Sequence, residues 1–96
     1  GQALTEGLER KHGQAFNPSF LDYHMPTALE MPECQVWEVN DPDPVGPFGA
    51  KESGEGTQVP GPAAVANAVC DAIGVRITSL PITPEKVLEG LHKKER

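Results

Sequence analysis

A glycine-rich stretch surrounds a glutamate near the middle of the chain. Residues 46–56 read Gly-Pro-Phe-Gly-Ala-Lys-Glu-Ser-Gly-Glu-Gly, so Glu55 lies between Gly54 and Gly56. Glycine has no Cβ, and its backbone can therefore approach a ligand closely. A carboxylate presented by such a loop is a useful general base where a closed site shields it from water. By composition alone the stretch is more typical of a solvated linker, and both interpretations stay open at this point.

Other residues of chemically useful types carry weaker signals. Asp41 and Asp43 stand between prolines, where a metal site is conceivable but solvated carboxylates are more common. Cys34 and Cys70 form no Cys-x-x-Cys pattern, which favours two reduced thiols. The histidines lie in three separate segments and are predicted to be surface or packing residues. They are His12, His24 and His92.

The elements before this stretch are predicted from apolar spacing. Leucines four residues apart predict a short amphipathic helix over 1–12 that ends at Gly7 or Gly13. The chain starts as if this helix were already under way, which favours a piece of a longer polypeptide. β-Branched and aromatic residues in an alternating pattern predict a strand over 34–40.

The second half of the chain is predicted as a loop followed by two helices. Residues 41–61 form a long Gly/Pro-rich loop, which at this length is either disordered or functional. A helix is predicted over 62–73, with Gly74 as its stop, and a C-terminal helix over 84–92, with Thr83 as its N-cap. These elements indicate the α+β class, with short helices and a few strands.

Composition and charge exclude several classes of protein. The 96 residues carry 8 Lys and Arg against 14 Asp and Glu, a formal charge of -6, which argues against a nucleic-acid partner. The basic cluster Lys93, Lys94 and Arg96 fits a helix end better than a binding patch. No apolar stretch approaches a membrane span, and no secretory signal opens the chain. A cytoplasmic protein with a thin core is therefore expected.

Five motifs in one order give the chain a family resemblance. They are Gly-Gln-Ala-Leu-Thr-Glu-Gly-Leu at 1–8, Asn-Pro-Ser-Phe-Leu-Asp-Tyr-His-Met-Pro-Thr-Ala at 17–28, the glycine-rich stretch at 46–55, Ala-Asn-Ala-Val-Cys-Asp-Ala-Ile-Gly-Val-Arg at 66–76, and Leu-Pro-Ile-Thr-Pro-Glu-Lys-Val-Leu at 80–88. Together they resemble the C-terminal end of the large subunit of the molybdenum hydroxylases. These include xanthine dehydrogenase, aldehyde oxidase, carbon monoxide dehydrogenase and 4-hydroxybenzoyl-CoA reductase. The whole chain, 1–96, would then be the C-terminal segment of a larger molybdopterin-binding domain.

The resemblance implies specific roles for the glycine-rich stretch. Glu55 matches the family's general base, which activates a molybdenum-bound hydroxyl for attack on an electrophilic substrate carbon. Gly54 and Ser53 match positions beside the molybdopterin cofactor, and no residue of the chain is implied to be a metal ligand. Iron–sulfur groups, with or without FAD, would lie in other domains or subunits. The implied partners are the remainder of the large subunit, those other subunits and a small-molecule substrate.

Two residues depart from the commonest pattern of the family. Glu52 adds a second carboxylate three residues before Glu55, and Gly56 stands where several members have proline. These departures leave the substrate class open. The isolated 96-residue chain is expected to be inactive and to bind no cofactor tightly. One alternative is a free-standing structural or interaction module, related to such a subunit but without activity. A second is a chaperone-like or assembly-related piece, for which the sequence has no positive feature.

Overall fold

The computed structural model describes residues 1–95 and contains two very short strands and three helices. The strands β1 (Arg10–Lys11) and β2 (Gln14–Ala15) pair in antiparallel register, Arg10 opposite Ala15. The helices are α1 (Glu55–Gln58), α2 (Pro60–Ile73) and α3 (Pro84–Lys94). Single 3-10 turns lie at Ala28–Glu30 and Pro47–Gly49. The predicted α+β class is confirmed.

The helix predicted over 1–12 is wrong. The backbone makes one turn, in which the Gly1 carbonyl accepts hydrogen bonds from the amides of residues 4, 5 and 6. The chain then enters the β1–β2 hairpin, where His12 and Gly13 both have positive φ angles of 51° and 81°. Consecutive positive φ angles are typical of tight hairpin turns and cannot continue a helix. The Asn17 side chain stabilises this arrangement with two hydrogen bonds. Its Nδ2 atom donates to the Gly7 carbonyl at 2.7 Å, and its Oδ1 atom accepts from the Glu9 amide at 2.8 Å.

The strand predicted over 34–40 is also wrong. The segment has no regular secondary structure, and Val36, Trp37 and Val39 are 88, 83 and 90% exposed. A strand needs a hydrogen-bonded neighbour, and the described residues provide none for this segment. Despite the β-propensity of their side chains, these residues therefore form no strand in the 96-residue chain.

The stretch 41–61 is more ordered than the predicted loop. It contains the 3-10 turn and the helix α1, so Glu55 is the first residue of a helical turn and not a residue at the tip of a loop. Val59 links α1 to α2 with α-helical dihedrals of -55° and -44°. The helix predicted from residue 62 starts at Pro60, because a proline in the first turn lacks only an amide that the helix does not use there.

Both longer helices have local stop and start signals. α2 ends at Gly74, whose φ is 68° and whose amide donates to the Cys70 carbonyl at 2.8 Å. α3 follows Thr83 and has Pro84 in its first turn. It extends two residues beyond the predicted 84–92, to Lys94. None of the helices of residues 1–95 has the length and apolar character that crossing a bilayer requires.

The chain buries very little of its apolar surface. Within residues 1–95 only Ala3 and Ile82 are buried, and the Ile82 amide donates to the Ala3 carbonyl at 2.7 Å. The radius of gyration is 17.9 Å, whereas a compact domain of this length would have roughly 12–13 Å. Large apolar surfaces exposed to water mark contacts with another polypeptide. The amount of exposed apolar surface is therefore that of a segment packed against another polypeptide, and not that of a self-contained domain.

Candidate functional site

An ion pair closes the base of the loop that leads to Glu55. The Lys51 ammonium lies 2.8 Å from the Asp41 carboxylate, ten residues earlier, with both side chains substantially exposed. The nearby Asp43 carboxylate accepts hydrogen bonds from the amides of Val45 at 2.7 Å and Gly46 at 2.8 Å. These amides hold the pKa of Asp43 below its ordinary value. Both aspartates thus shape the loop, Asp41 through a cation and Asp43 through backbone amides.

The turn inside this loop is held by backbone hydrogen bonds. The Asp43 amide donates to the Gly49 carbonyl at 3.1 Å, and the Gly49 amide donates to the Gly46 carbonyl at 3.1 Å. Gly49 has a φ of 75°, and a Cβ there would lie 2.7 Å from the Pro42 side chain, so the turn requires glycine. Phe48 also has a positive φ of 54° and projects fully into solvent. Backbone hydrogen bonds therefore order this loop, although nearly all of its side chains are exposed.

Contacts on both sides fix the backbone around Glu55. On the N-terminal side, the Thr57 hydroxyl donates to the Gly54 carbonyl at 2.8 Å. On the C-terminal side, the Gly56 amide donates to the Glu52 carboxylate at 2.8 Å. The Glu55 carbonyl accepts from the Val59 amide at 3.1 Å, which begins the helix. Glu55 itself is exposed, and its carboxylate has no hydrogen-bond or ion-pair partner among residues 1–95.

Ser53 and Gly54 expose their backbone next to this carboxylate. A Cβ added to Gly54 would have one neighbour within 4 Å, the Glu52 Oε1 atom at 3.4 Å. In the part of the chain that the structure describes, the Ser53 hydroxyl and the Gly54 amide take part in no hydrogen bond. The sequence-predicted site residues 53–55 are therefore consecutive and exposed, with unused hydrogen-bond donors at Ser53 and Gly54 and an unpaired carboxylate at Glu55.

The histidines do not join this turn. His24 lies 3.1 Å from Glu30, whose carboxylate also accepts from the Thr27 amide at 2.7 Å. The Thr27 amide and His24 lower the pKa of Glu30 to about 2. No group of three or more His, Cys, Asp or Glu side chains in residues 1–95 is arranged to hold a metal ion. Cys34 and Cys70 are free thiols.

Sequence reasoning missed the contacts that shape the site. It noted Glu52 as an additional carboxylate and Lys51 only as part of the glycine-rich stretch, and it did not use Thr57. The available signal was the acidic residue three positions before Glu55, which is typical of side chains that satisfy the free amides of a first helical turn. That signal depends on knowing that a helix begins at Glu55.

The chain is similar to short segments of much longer proteins. The chain is 41% identical over 102 residues to the 6-hydroxypseudooxynicotine dehydrogenase complex subunit gamma of Paenarthrobacter nicotinovorans, a match that covers 100% of this chain and 13% of that protein. It is 39% identical over 94 residues to the xanthine dehydrogenase molybdenum-binding subunit of Escherichia coli O157:H7, covering 96% of this chain and 12% of that subunit. The chain is homologous to one segment of a molybdenum hydroxylase large subunit. No protein-family model matches it.

A solved structure of a much larger oxidoreductase has the same fold over nearly the whole chain. Quinoline 2-oxidoreductase from Pseudomonas putida 86 matches with a TM-score of 0.83 and 32% identity, covering 95% of this chain and 12% of that one. The chain thus spans 12 to 13% of the length of the relatives reported above. Its small α+β fold matches a short part of a much larger molybdenum hydroxylase subunit, which agrees with its scarcity of buried side chains.

Proposed function

We propose that the chain is part of the catalytic subunit of a molybdenum-dependent oxidoreductase and supplies Glu55 as its general base. The observation that carries this proposal is the Glu55 carboxylate, which has no partner among residues 1–95 and begins α1 beside the open backbone of Gly54. A general base must have a free carboxylate in a fixed position, and the backbone on both sides of Glu55 is fixed by hydrogen bonds.

Ser53 and Gly54 suit a molybdopterin cofactor. Their unused N–H and O–H donors match the oxygen, nitrogen and sulfur acceptors of an anionic pterin, and the missing side chain at Gly54 leaves room for close approach. We assign these two residues to hold the cofactor. When bound, it would supply the redox chemistry that removes electrons from the substrate.

The role of Glu55 is to accept a proton. A hydroxyl group attacks the substrate carbon more readily as it loses its proton, and a positioned carboxylate can take that proton in the same step. The carboxylate is exposed in the 96-residue chain, so the remainder of a large subunit must cover it to exclude water. The exposed apolar side chains of this chain provide surface for such a cover.

The proposal extends to the whole enzyme. Iron–sulfur groups, with or without FAD, would carry electrons from the site in other domains or subunits, and the substrate would be a small molecule. The 96-residue chain alone would be inactive. The alternative, a free-standing structural module, is disfavoured because only Ala3 and Ile82 are buried within residues 1–95.

The test is Glu55→Gln in the parent enzyme. Glutamine preserves size but is not basic, so the rate of reduction of the molybdenum centre by substrate should fall by about 10² or more at unchanged molybdenum content. Pre-steady-state absorbance measures that rate. The matched control is Glu95→Gln, the same change at an exposed residue after α3, which should leave the rate unchanged. An unchanged rate in Glu55→Gln would remove Glu55 from the chemistry.

A further inference from the structure

We infer that Glu52 is a positioning residue for Glu55 and acts by fixing the Gly56 amide. The inference rests on the proposed role of Glu55. The Glu52 Oε2 atom accepts the Gly56 N–H at 2.8 Å, across the turn in which α1 begins. Glu52 thus holds the peptide that immediately follows the proposed base. In residues 1–95 its carboxylate has no cationic partner, so this amide is what orients it.

The cation nearest in sequence is engaged elsewhere. Lys51 is turned toward Asp41, 2.8 Å away, and it closes the loop on its other side. Two adjacent residues therefore make separate contacts: Lys51 joins the two ends of the loop, and Glu52 starts the helix. This division explains how a carboxylate next to a lysine remains available for a backbone amide.

The space for this contact exists only because residue 56 is glycine. A Cβ at Gly56 would overlap the Glu52 Oε2 atom and lie 3.4 Å from its Cδ atom. Any side chain at position 56 must therefore push the carboxylate away from the amide. Proline at position 56 would remove the N–H donor altogether. The contact therefore needs both an acceptor oxygen on the side chain of residue 52 and glycine at position 56.

The contact complements the hydrogen bond on the other side of Glu55. Thr57 holds the Gly54 carbonyl at 2.8 Å, whereas Glu52 holds the Gly56 amide. The two peptide groups flanking Glu55 are thus restrained by different side chains. Because a small misplacement of a catalytic group can cost up to about 10²-fold in rate, losing one restraint should lower turnover without affecting substrate binding.

The test uses four variants of the parent enzyme, compared at equal molybdenum content: Glu52→Ala, Glu52→Gln, Gly56→Ala and the double Ala variant. Glu52→Ala should lower kcat by about 10-fold and leave KM within about twofold. Glu52→Gln keeps an oxygen at the same distance and should restore most of kcat. Gly56→Ala should match Glu52→Ala, and the double variant should be no worse than either, since both remove one interaction.

A second readout does not depend on turnover. Hydrogen exchange at the Gly56 amide, followed by mass spectrometry with fragmentation, should be faster by about 10-fold in Glu52→Ala and close to wild type in Glu52→Gln. The Thr57 amide is the internal reference and should change much less.

The outcomes separate this inference from the proposed function. A slow Glu55→Gln enzyme combined with unchanged kcat in Glu52→Ala overturns the positioning role and leaves the general base in place. Equal losses in Glu52→Gln and Glu52→Ala, or additive effects in the double variant, also overturn it. Normal reduction in Glu55→Gln overturns both, and the exchange measurement then shows whether the Glu52–Gly56 contact still forms.

Discussion

Segments 31–40 and 41–58 are neighbours in sequence and behave in opposite ways. Both lack long regular elements, and nearly all of their side chains are exposed. In 41–58, an ion pair, a 3-10 turn and side-chain contacts to backbone amides and carbonyls fix the path of the chain. In 31–40, the described residues make a single hydrogen bond, from the Cys34 thiol to the Pro32 carbonyl at 3.4 Å. Exposure therefore does not imply the same degree of local order.

The difference follows from the kind of residue in each segment. Aspartate, glutamate, threonine and glycine can satisfy backbone groups a few residues away, so 41–58 can order itself. Valine and tryptophan stabilise structure only when another surface covers them. Segment 41–58 thus carries its own geometry, whereas segment 31–40 depends on a partner surface.

The largest expected effect concerns Trp37. In the parent subunit we expect another part of the protein to cover this side chain, so Trp37→Asp should destabilise the assembled enzyme by about 3–5 kcal/mol, the cost of losing a buried aromatic group. Thermal unfolding and the yield of assembled enzyme measure this. The polar neighbour provides the control, since Gln35→Asp should have little effect. A Trp37→Asp enzyme as stable as wild type would mean that segment 34–40 stays exposed.

Gly54→Val should have the next largest effect. The added side chain enters the space assigned to the cofactor, and overpacking of this kind costs about 1–3 kcal/mol. The molybdenum content per subunit should fall, with Gly54→Ala intermediate. Metal analysis measures the content, and circular dichroism of the same samples shows whether the fold is kept. Full loading in a folded Gly54→Val enzyme would contradict the close approach assigned to Gly54.

Sequence reasoning reached the elements with strong local signals. Gly74 and the Thr83-Pro84 pair bound the two longer helices as predicted, because each acts within one turn of a helix end. The start of α2 at Pro60 lies two residues before the predicted start at 62. The helix over 1–12 failed because contacts from Asn17 and the positive φ angles of His12 and Gly13 outweigh the leucine spacing. The strand over 34–40 failed because propensity cannot provide a second strand.

The position of the candidate site in the sequence could be predicted, but the contacts that hold its backbone could not. Residues 53–55 stand out because glycines flank a glutamate, and their assigned roles remain predictions. The Glu52–Gly56 contact could not be read from the sequence, although both residues were noted as departures from the resemblance. A spacing of four residues places side chains close together only on a helix, and here the contact runs from a side chain to an amide at the start of one.

The smallest expected effect is a pH dependence inside the loop 41–58. The amides of Val45 and Gly46 hold the pKa of Asp43 below its ordinary value of 3.8. The ionised carboxylate therefore stabilises the turn at pH values above 3.8, and this contribution is lost as the pH falls through the lower pKa of the folded turn. In the 96-residue chain, the NMR shifts of the Val45 and Gly46 amide protons should titrate together, with a midpoint below 3.8. Asp43→Asn should abolish that titration, because asparagine carries no charge to lose. A midpoint at or above the ordinary value would show that the turn does not form without a partner surface, and segment 41–58 would then resemble 31–40.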